Sequence, residues 1–250
     1  MAKKIVTIAL FLFLCLGLPA QQVKSSFRAT DKLTINTYKS MGYVYCDLIK
    51  YYPEGEEASA ASYWEPNNVV DTVRILDSFT FQKQKYTVTS IKESGFEDIL
   101  RIRHIILPET IKRIAPRAFY SCSYLESIYI PSGCETIGSY SFCRTEVDTL
   151  ILPEGVKIIG AKAFFECTHL KYVELPSTVE KLGERAFSCC NELKTVRVHF
   201  KEPLPIDEKH FFFTTPHHKI KLIVPKGTLE AYADADGWRY FEPIVEEDDE

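Results

Sequence analysis

Beyond its first twenty positions, this 250-residue chain has no apolar run that approaches the roughly 20 residues a membrane-spanning helix requires. A transmembrane span is therefore not expected. A basic excess is missing too. The formal net charge is −4, and without Lys3 and Lys4 the balance is 28 basic against 34 acidic residues, or −6. A mildly acidic chain lacks the basic footprint that phosphate contacts require, so nucleic acid is not an expected partner. Catalytic signatures are equally absent, since there is no GxSxG elbow, no HExxH and no CxxC pair. Gly155 to Lys162 has glycines spaced like a phosphate loop but lacks the Lys-Ser/Thr ending. His210, His217 and His218 with Asp207 and Glu208 form the densest group of potential metal ligands, yet their spacing matches no standard site and reads as a polar loop. The chain is thus expected to be neither an enzyme nor a cofactor or metal binder. With no N-x-S/T acceptor, N-glycosylation is not expected either.

The first twenty residues form a unit of their own. Lys3 and Lys4 precede an almost wholly apolar stretch from Ile5 to Leu16, and Gly17, Pro19 and Ala20 supply a helix breaker and a small residue for cleavage. This is the pattern of a secretory signal peptide over residues 1–20. Lipid anchoring at Cys15 is disfavoured because the residue before it is Leu14 rather than a small one. The expected location is the cell surface or the medium. Export leaves Cys46, Cys122, Cys134, Cys143, Cys167, Cys189 and Cys190 where disulfides can persist. Their odd number leaves at least one unpaired. Cys122, Cys167 and Cys190 recur at one repeat position and Cys134 stands where other copies hold aliphatic residues, which suits small buried hydrophobes with inert thiols. A disulfide framework or a reactive thiol is the competing reading, with the adjacent pair Cys189 and Cys190 the place to look.

Residues 21–85 carry two stretches rich in β-branched and aromatic residues, Tyr43 to Ile49 and Val69 to Ile75, around a turn-rich segment with Pro53, Gly55 and Pro66. They are read as an N-terminal β cap over the open end of a stacked array that begins at residue 86.

From residue 86 to residue 200 the sequence repeats. Phenylalanine stands at 96, 119, 142, 164 and 187, giving steps of 23, 23, 22 and 23 residues. Ile91, Ile114, Ile137, Ile159 and Leu182 keep the same steps, as do Pro108, Pro131, Pro153 and Pro176. Small residues precede each Phe, and Ala115, Gly138, Gly160 and Gly183 fill a column where a side chain would crowd a tight turn. Cys122, Cys167 and Cys190 share one column, and Cys134 stands in another with Val88, Ile111, Val156 and Val179. The single missing residue falls between Phe142 and Val147, so the columns are expected to resume undisturbed.

A fixed period of this length means that each unit cannot bury its own apolar face and must stack on its neighbours as a solenoid. Before each proline the apolar residues alternate, as in Ile105 and Leu107 or Val173 and Leu175. That alternation predicts short strands, paired in parallel from coil to coil at about 4.8 Å and ended by the proline, which lacks a ladder donor. The phenylalanines should stack as a buried ladder.

The unit L/I-x-x-I-x-L-P-x-x-V-x-x-I-G-x-x-A-F-x-x-C-x-x-L closely resembles the BspA-like class of leucine-rich repeats. Tyr86 to Ile91 looks like that family's lead into its first repeat, and the segment from Leu222 to Glu246 like its closing unit. The resemblance implies a leucine-rich repeat solenoid, mainly β, of short parallel strands stacked in coils of 22–23 residues. It also implies export, and includes surface antigens and adhesins that contact host matrix proteins.

Residues 201–250 are read as a C-terminal strand-helix cap with an acidic tail. Ile220 to Pro225 repeats the strand-then-proline pattern, and Thr228 is placed to cap a helix from Leu229 to about Ala235. Trp238, Tyr240 and Phe241 offer bulk to close the core. The five acids from Glu246 to Glu250 are expected to be solvated.

With the columns assigned to the core, ten positions on the outward face of the strands remain. They are His104 and Ile106, Ser127 and Tyr129, Thr149 and Ile151, Tyr172 and Glu174, and Thr195 and Arg197. Stacked in parallel, they would form two stripes containing anchor-type residues, with Ile106, Tyr129 and Ile151 unusually apolar for plain solvent. The competing account is that β-branched and aromatic residues favour strands on either face. The functional expectation is a secreted or surface-exposed, monomeric binding module. Its partner would be a protein, such as a host extracellular-matrix component. The alternative is a glycan-associated or purely structural surface component.

Overall fold

The computed structural model describes residues 44–46, 49–54, 57–62, 72–81, 84–100, 102–206 and 217–248. The signal-peptide segment, His210, Asp207 and Glu208 fall outside the described residues, as do the last two acids. Among the described residues, no helix is long and apolar enough to cross a membrane.

The repeat builds a coil with three walls. One wall is the outward strand before each proline: β7 (His104–Ile106), β9 (Ser127–Tyr129), β11 (Thr149–Ile151), β13 (Tyr172–Leu175) and β15 (Thr195–Val198). A second wall consists of two-residue strands around the isoleucine column: β8 (Arg113–Ile114), β10 (Thr136–Ile137), β12 (Ile158–Ile159) and β14 (Lys181–Leu182). They pair in parallel in the order β8-β10-β12-β14. The third wall is the turn that carries Phe. Each proline links the first two walls, because its carbonyl accepts from the amide three residues on, as in Ile111 N to Pro108 O (3.1 Å) and Cys134 N to Pro131 O (3.0 Å). That turn buries the Val/Ile/Cys column.

The Phe turns owe their form to residues that leave the right-handed region. Arg117, Tyr140, Lys162 and Arg185 have φ of 54–58°, and Ser121, Arg144, Glu166 and Cys189 have φ of 55–64°. None is glycine, although positive φ is costly for other residues. The compensation is a ladder of bonds between coils. In the second coil Arg117 N, Phe119 N and Ser121 N donate to the carbonyls of Ser139, Ser141 and Cys143 one coil on, at 2.9, 2.7 and 2.8 Å. The equivalent triplets recur from Ser94, Tyr140 and Lys162. Satisfying buried amides this way is what lets a turn wall stack like a sheet.

Inside, the phenylalanines form the expected ladder. Ring centroids of Phe96, Phe119, Phe142, Phe164 and Phe187 are 5.1–5.2 Å apart, and the planes become nearly parallel towards the last pair, at 2°. The glycine column is crowded, as expected. A Cβ at Gly183 would sit 2.2 Å from Ala161 N, and one at Gly160 would sit 2.4 Å from Ser139 N. What glycine permits there is close approach of the preceding coil's backbone, not positive φ.

Equivalent strands extend on both sides of residues 86–200. β4 (Thr72–Arg74) pairs in parallel with β7, β16 (Lys221–Val224) with β15, and β17 (Ile244–Glu246) with β16. The stretch expected to be turn-rich instead holds β2 (Ile49–Glu54) and β3 (Glu57–Ser62), which form a hairpin after β1 (Val44–Cys46). β3 lies parallel to β6 (Gln84–Ile91), which also takes β5 (Ser78–Phe81) antiparallel and ends by pairing Ser90 and Ile91 with β8. The leading strands thus continue the second wall of the solenoid.

At the other end, Phe200, Tyr232, Trp238 and Phe241 pack as rings 5.5–6.2 Å apart. Trp238 Nε1 donates to Leu204 O (2.7 Å), and Tyr232 OH to Phe200 O (2.6 Å). Tyr232 takes the buried place expected of Tyr240, which stays half-exposed. The helix α1 (Leu229–Asp234) is not capped by the Thr228 side chain. Thr228 Oγ1 turns back to Pro225 O (2.6 Å), while the carboxylate of Glu246 accepts from Gly227 N (2.8 Å) and Leu229 N (3.3 Å). Glu246, expected in a solvated tail, therefore belongs to β17 and serves as the cap. A carboxylate suits this place because it meets unsatisfied amides.

Candidate binding face

Alternation along the outward strands sorts side chains by parity. Ile105, Leu150, Val173, Val196 and Val198 point inward and are buried at 0–2% exposure, so their neighbours must point out. All ten candidate positions lie in the outward strands, but not in one sheet. His104, Ile106, Ser127 and Tyr129 belong to a three-stranded sheet, β4-β7-β9. Thr149, Ile151, Tyr172, Glu174, Thr195 and Arg197 belong to a five-stranded sheet, β11-β13-β15-β16-β17.

Parallel register fixes who stands beside whom. In the first sheet Thr72, His104 and Ser127 align, as do Arg74, Ile106 and Tyr129. In the second, Thr149, Tyr172, Thr195 and Lys221 align, as do Ile151, Glu174, Arg197, Ile223 and Val245. Thr72, Arg74, Lys221, Ile223 and Val245 extend the two stripes beyond the ten sequence-derived positions. The strand-then-proline pattern at Ile220 to Pro225 was a signal for two of them. Thr72 and Arg74 lay in a stretch that carried strand character without the repeat's columns.

The sheets part at one place. Elsewhere two consecutive amides at the head of a strand donate to one carbonyl of the preceding coil: Glu126 and Ser127 to Arg103 O, Lys171 and Tyr172 to Asp148 O, Lys194 and Thr195 to Lys171 O. The matching pair from Asp148 and Thr149 to Glu126 is not formed among the described residues. The missing residue of the 22-residue copy is the cause. Cys122 to Leu125, Cys167 to Leu170 and Cys190 to Leu193 are each closed by a bond at 2.9–3.2 Å, whereas Thr145 to Val147 is one residue shorter. Thr145 Oγ1 donates to Phe142 O (3.0 Å) instead. The buried columns resume undisturbed; the outward ladder does not. Tyr129 and Ile151 flank this break and are 55% and 61% exposed, the largest values among the exposed large hydrophobic residues.

On the five-stranded side the face carries a polar network. Glu174 accepts from Tyr172 OH (2.5 Å) and faces His199 Nε2 (2.8 Å). Burial pushes the Glu174 pKa up, but the Tyr172 hydroxyl, His199 and Arg197 more than offset it, and the carboxyl is held below its ordinary value. The Tyr172 phenol is pushed up to about 12, by burial first and then by Glu174. Arg197 lies directly across from Glu174 in register, yet the carboxylate's oxygens are taken by Tyr172 and His199. Arg197 Nε is buried without a hydrogen-bond partner among the described residues. On the three-stranded side, His104 Nδ1 meets Ser127 Oγ (2.8 Å), and Tyr129 OH donates to Glu109 (3.0 Å).

The cysteines do not compete for a functional role. Of the six described cysteines all but Cys189 are buried. Cys122, Cys167 and Cys190 donate to the carbonyls of Phe96, Phe142 and Phe164 in the preceding coil, at 2.9, 3.0 and 3.3 Å. Burial pushes the pKa of Cys122 and Cys143 up to about 12 and of Cys134 and Cys167 up to about 11. Cys46 is described in its backbone alone. Of the five-residue polar group, only His217 and His218 fall among the described residues, in a short 3-10 turn, and no cluster of three metal-ligating side chains occurs among those residues.

Three walls, parallel strand ladders and a stacked aromatic core define a leucine-rich repeat solenoid of about six turns. Six copies of the BspA type leucine rich repeat region match over residues 71–153 and 135–230, more than half of the sequence. The chain belongs to that family. Two solved structures share the fold. A leucine-rich repeat protein from Bacteroides ovatus is 23% identical, with a TM-score of 0.50 over 74% of this chain and 56% of that one. This chain thus spans little more than half of that relative. The T. pallidum leucine-rich repeat protein, TpLRR, is 20% identical, with a TM-score of 0.56 over 80% of this chain and 81% of that one. No curated protein matches the sequence.

Proposed function

We propose that the protein is an exported binding module of the bacterial surface, which recognises a protein partner through the outward strand wall. Adhesion to an extracellular-matrix protein is the concrete role. The observation that carries this reading is the pair Tyr129 and Ile151, exposed at 55% and 61% on either side of the one gap in the strand ladder. Large apolar side chains on a soluble surface cost hydration unless a partner covers them, and aromatic anchors of this kind dominate binding energy. Tyr172, Glu174 and Arg197 supply the orienting polar groups beside them. The fold adds support, since repeat solenoids create extended surfaces suited to partners.

The test is binding of the purified protein to a panel of purified extracellular-matrix proteins and to a glycan array. Changing Tyr129, Tyr172, Glu174 and Arg197 together should abolish binding to any protein so found. Undiminished binding by that variant sinks the assignment, and a specific polysaccharide signal without a protein one favours a glycan-associated role.

A further inference from the structure

The cations of this chain are distributed unevenly between paired and unpaired. On the turn and second walls several are paired within the solenoid, although Arg113 and Lys181 of the second wall make no ion pair with any described residue. Arg117 meets Glu97, Arg144 Nε meets Glu166 (2.5 Å), Lys157 meets Glu135 (3.4 Å), and Lys162 Nζ donates to Tyr140 OH (2.8 Å). The C-terminal half of the outward wall and its strand heads bring several such cations together. Lys171, Lys194 and Lys221 are exposed and make no ion pair with any described residue. Arg197 makes no hydrogen bond there, because the one carboxylate in register with it is already occupied by Tyr172 and His199.

These four cations are neighbours. Lys221 stands in register with Thr195, one residue after Lys194, and Arg197 is the next outward residue of the same strand. Lys194 follows Lys171 at the head of the adjacent strand, its amide bonded to the Lys171 carbonyl (2.9 Å). With strands about 4.8 Å apart, Arg197 and Lys221 share the outward wall, and Lys171 and Lys194 stand at the strand heads that border it. The exposed Ile151 lies two strands from Arg197 in the same outward stripe. An otherwise acidic protein, at −4 overall, thus gathers four cations around the carboxylates Glu174 and Asp148, on the sheet that also carries its most exposed large apolar residue.

Resting on the reading of this wall as the binding face, we infer that its occupant is an acidic protein segment. A partner carboxylate would seat on the Arg197 guanidinium, two or three further acids would lie over Lys171, Lys194 and Lys221, and an apolar side chain would cover Ile151. A planar guanidinium that makes no hydrogen bond with a described residue matches a carboxylate in a fork of two parallel bonds. The adjoining apolar anchor favours a polypeptide over a sulfated polysaccharide, which offers charge without an aliphatic group to cover Ile151.

The probes are a labelled peptide alternating Glu and Ile, its Gln-for-Glu counterpart, and heparin, each titrated against the whole protein. Binding of the Glu peptide should exceed that of the Gln peptide by about tenfold or more, and should weaken steeply as salt rises, because charges on a rim act through screened attraction. Arg197→Gln, and separately Lys221→Glu at a solvent-facing position, should each remove most of that preference; Lys181→Gln on the second wall should leave it unchanged. Equal binding of the two peptides overturns the inference, as does wild-type behaviour of both variants or binding of heparin alone. Should Tyr129→Ala and Ile151→Ala abolish capture of a matrix protein while Arg197→Gln and Lys221→Glu do not, the face stands and the acidic partner falls.

Discussion

The turn wall and the strand wall of the same coils respond differently to the same lost residue. Across the 22-residue copy, Phe142 and Phe164 still stack at 5.2 Å, and the turn amides of Tyr140, Phe142 and Arg144 still reach the next coil. On the strand wall the ladder between β9 and β11 is absent. The difference is one of position. The shortening falls between Thr145 and Val147, after the turn has closed and immediately before the strand begins. A stacked side chain depends only on where its coil lies. A parallel ladder also depends on how the chain enters it, and the entering loop has lost the length that sets this.

The robustness of the turn wall is challenged most severely from inside. Phe119→Ala removes a ring stacked on both sides and should cost about 3–5 kcal/mol by the transfer and cavity terms, measured by chemical denaturation. An unchanged melting temperature would show that the column is not core. Gly183→Ala forces a methyl group against the preceding coil's backbone and should cost roughly 1–3 kcal/mol by overpacking. The strand wall is tested by repair. Inserting one residue between Glu146 and Val147 restores the 23-residue step and should let Asp148 and Thr149 donate to Glu126, each bond adding about 0.5–1.5 kcal/mol. Slowed hydrogen exchange at those two amides is the readout, and exchange as fast as before would show that loop length is not what divides the sheets.

The mildest test is chemical. Folded Cys122, Cys134, Cys143 and Cys167 titrate at about 11–12, above the ordinary 9.0. Because the folded value is the higher one, their contribution to stability is complete below pH 9.0 and is lost as pH climbs towards 11–12. Native protein near neutral pH should therefore leave these four thiols unmodified by a disulfide-exchange reagent, while denatured protein yields them all. Rapid native modification would contradict their burial.

Residues that fill the core were legible in the sequence because each is held by its copies above and below. Phe119, Ile137 and Pro153 allow few substitutes, so repetition shows in the letters. The left-handed turns at Arg117, Tyr140, Lys162 and Arg185 left no such trace. The backbone there is fixed by bonds to the next coil, and the side chain, pointing outward, is free to vary. The division of the outward strand wall was present as a missing letter, but its consequence required knowing where the turn ends and the strand begins. Thr228 looked like a helix cap because its position was right. Glu246 performs that task from β17, a placement that only the folded chain makes. Likewise Arg197 and Glu174 would be taken for an ion pair from their alignment alone, but His199, one residue beyond the end of β15, meets the carboxylate instead.

The gap between β9 and β11 has a mechanical side. The bonds that join successive coils run along the axis of the solenoid, so a pull on its two ends loads the coil boundaries in series. Joints in series yield at the one with fewest bonds. At that boundary β10 with β12 and the turn wall hold alone, without the outward ladder that secures the boundaries on either side. Stretched, the molecule should open first beneath Tyr129 and Ile151, which makes the exposed pair the hinge of the array as well as its most prominent surface.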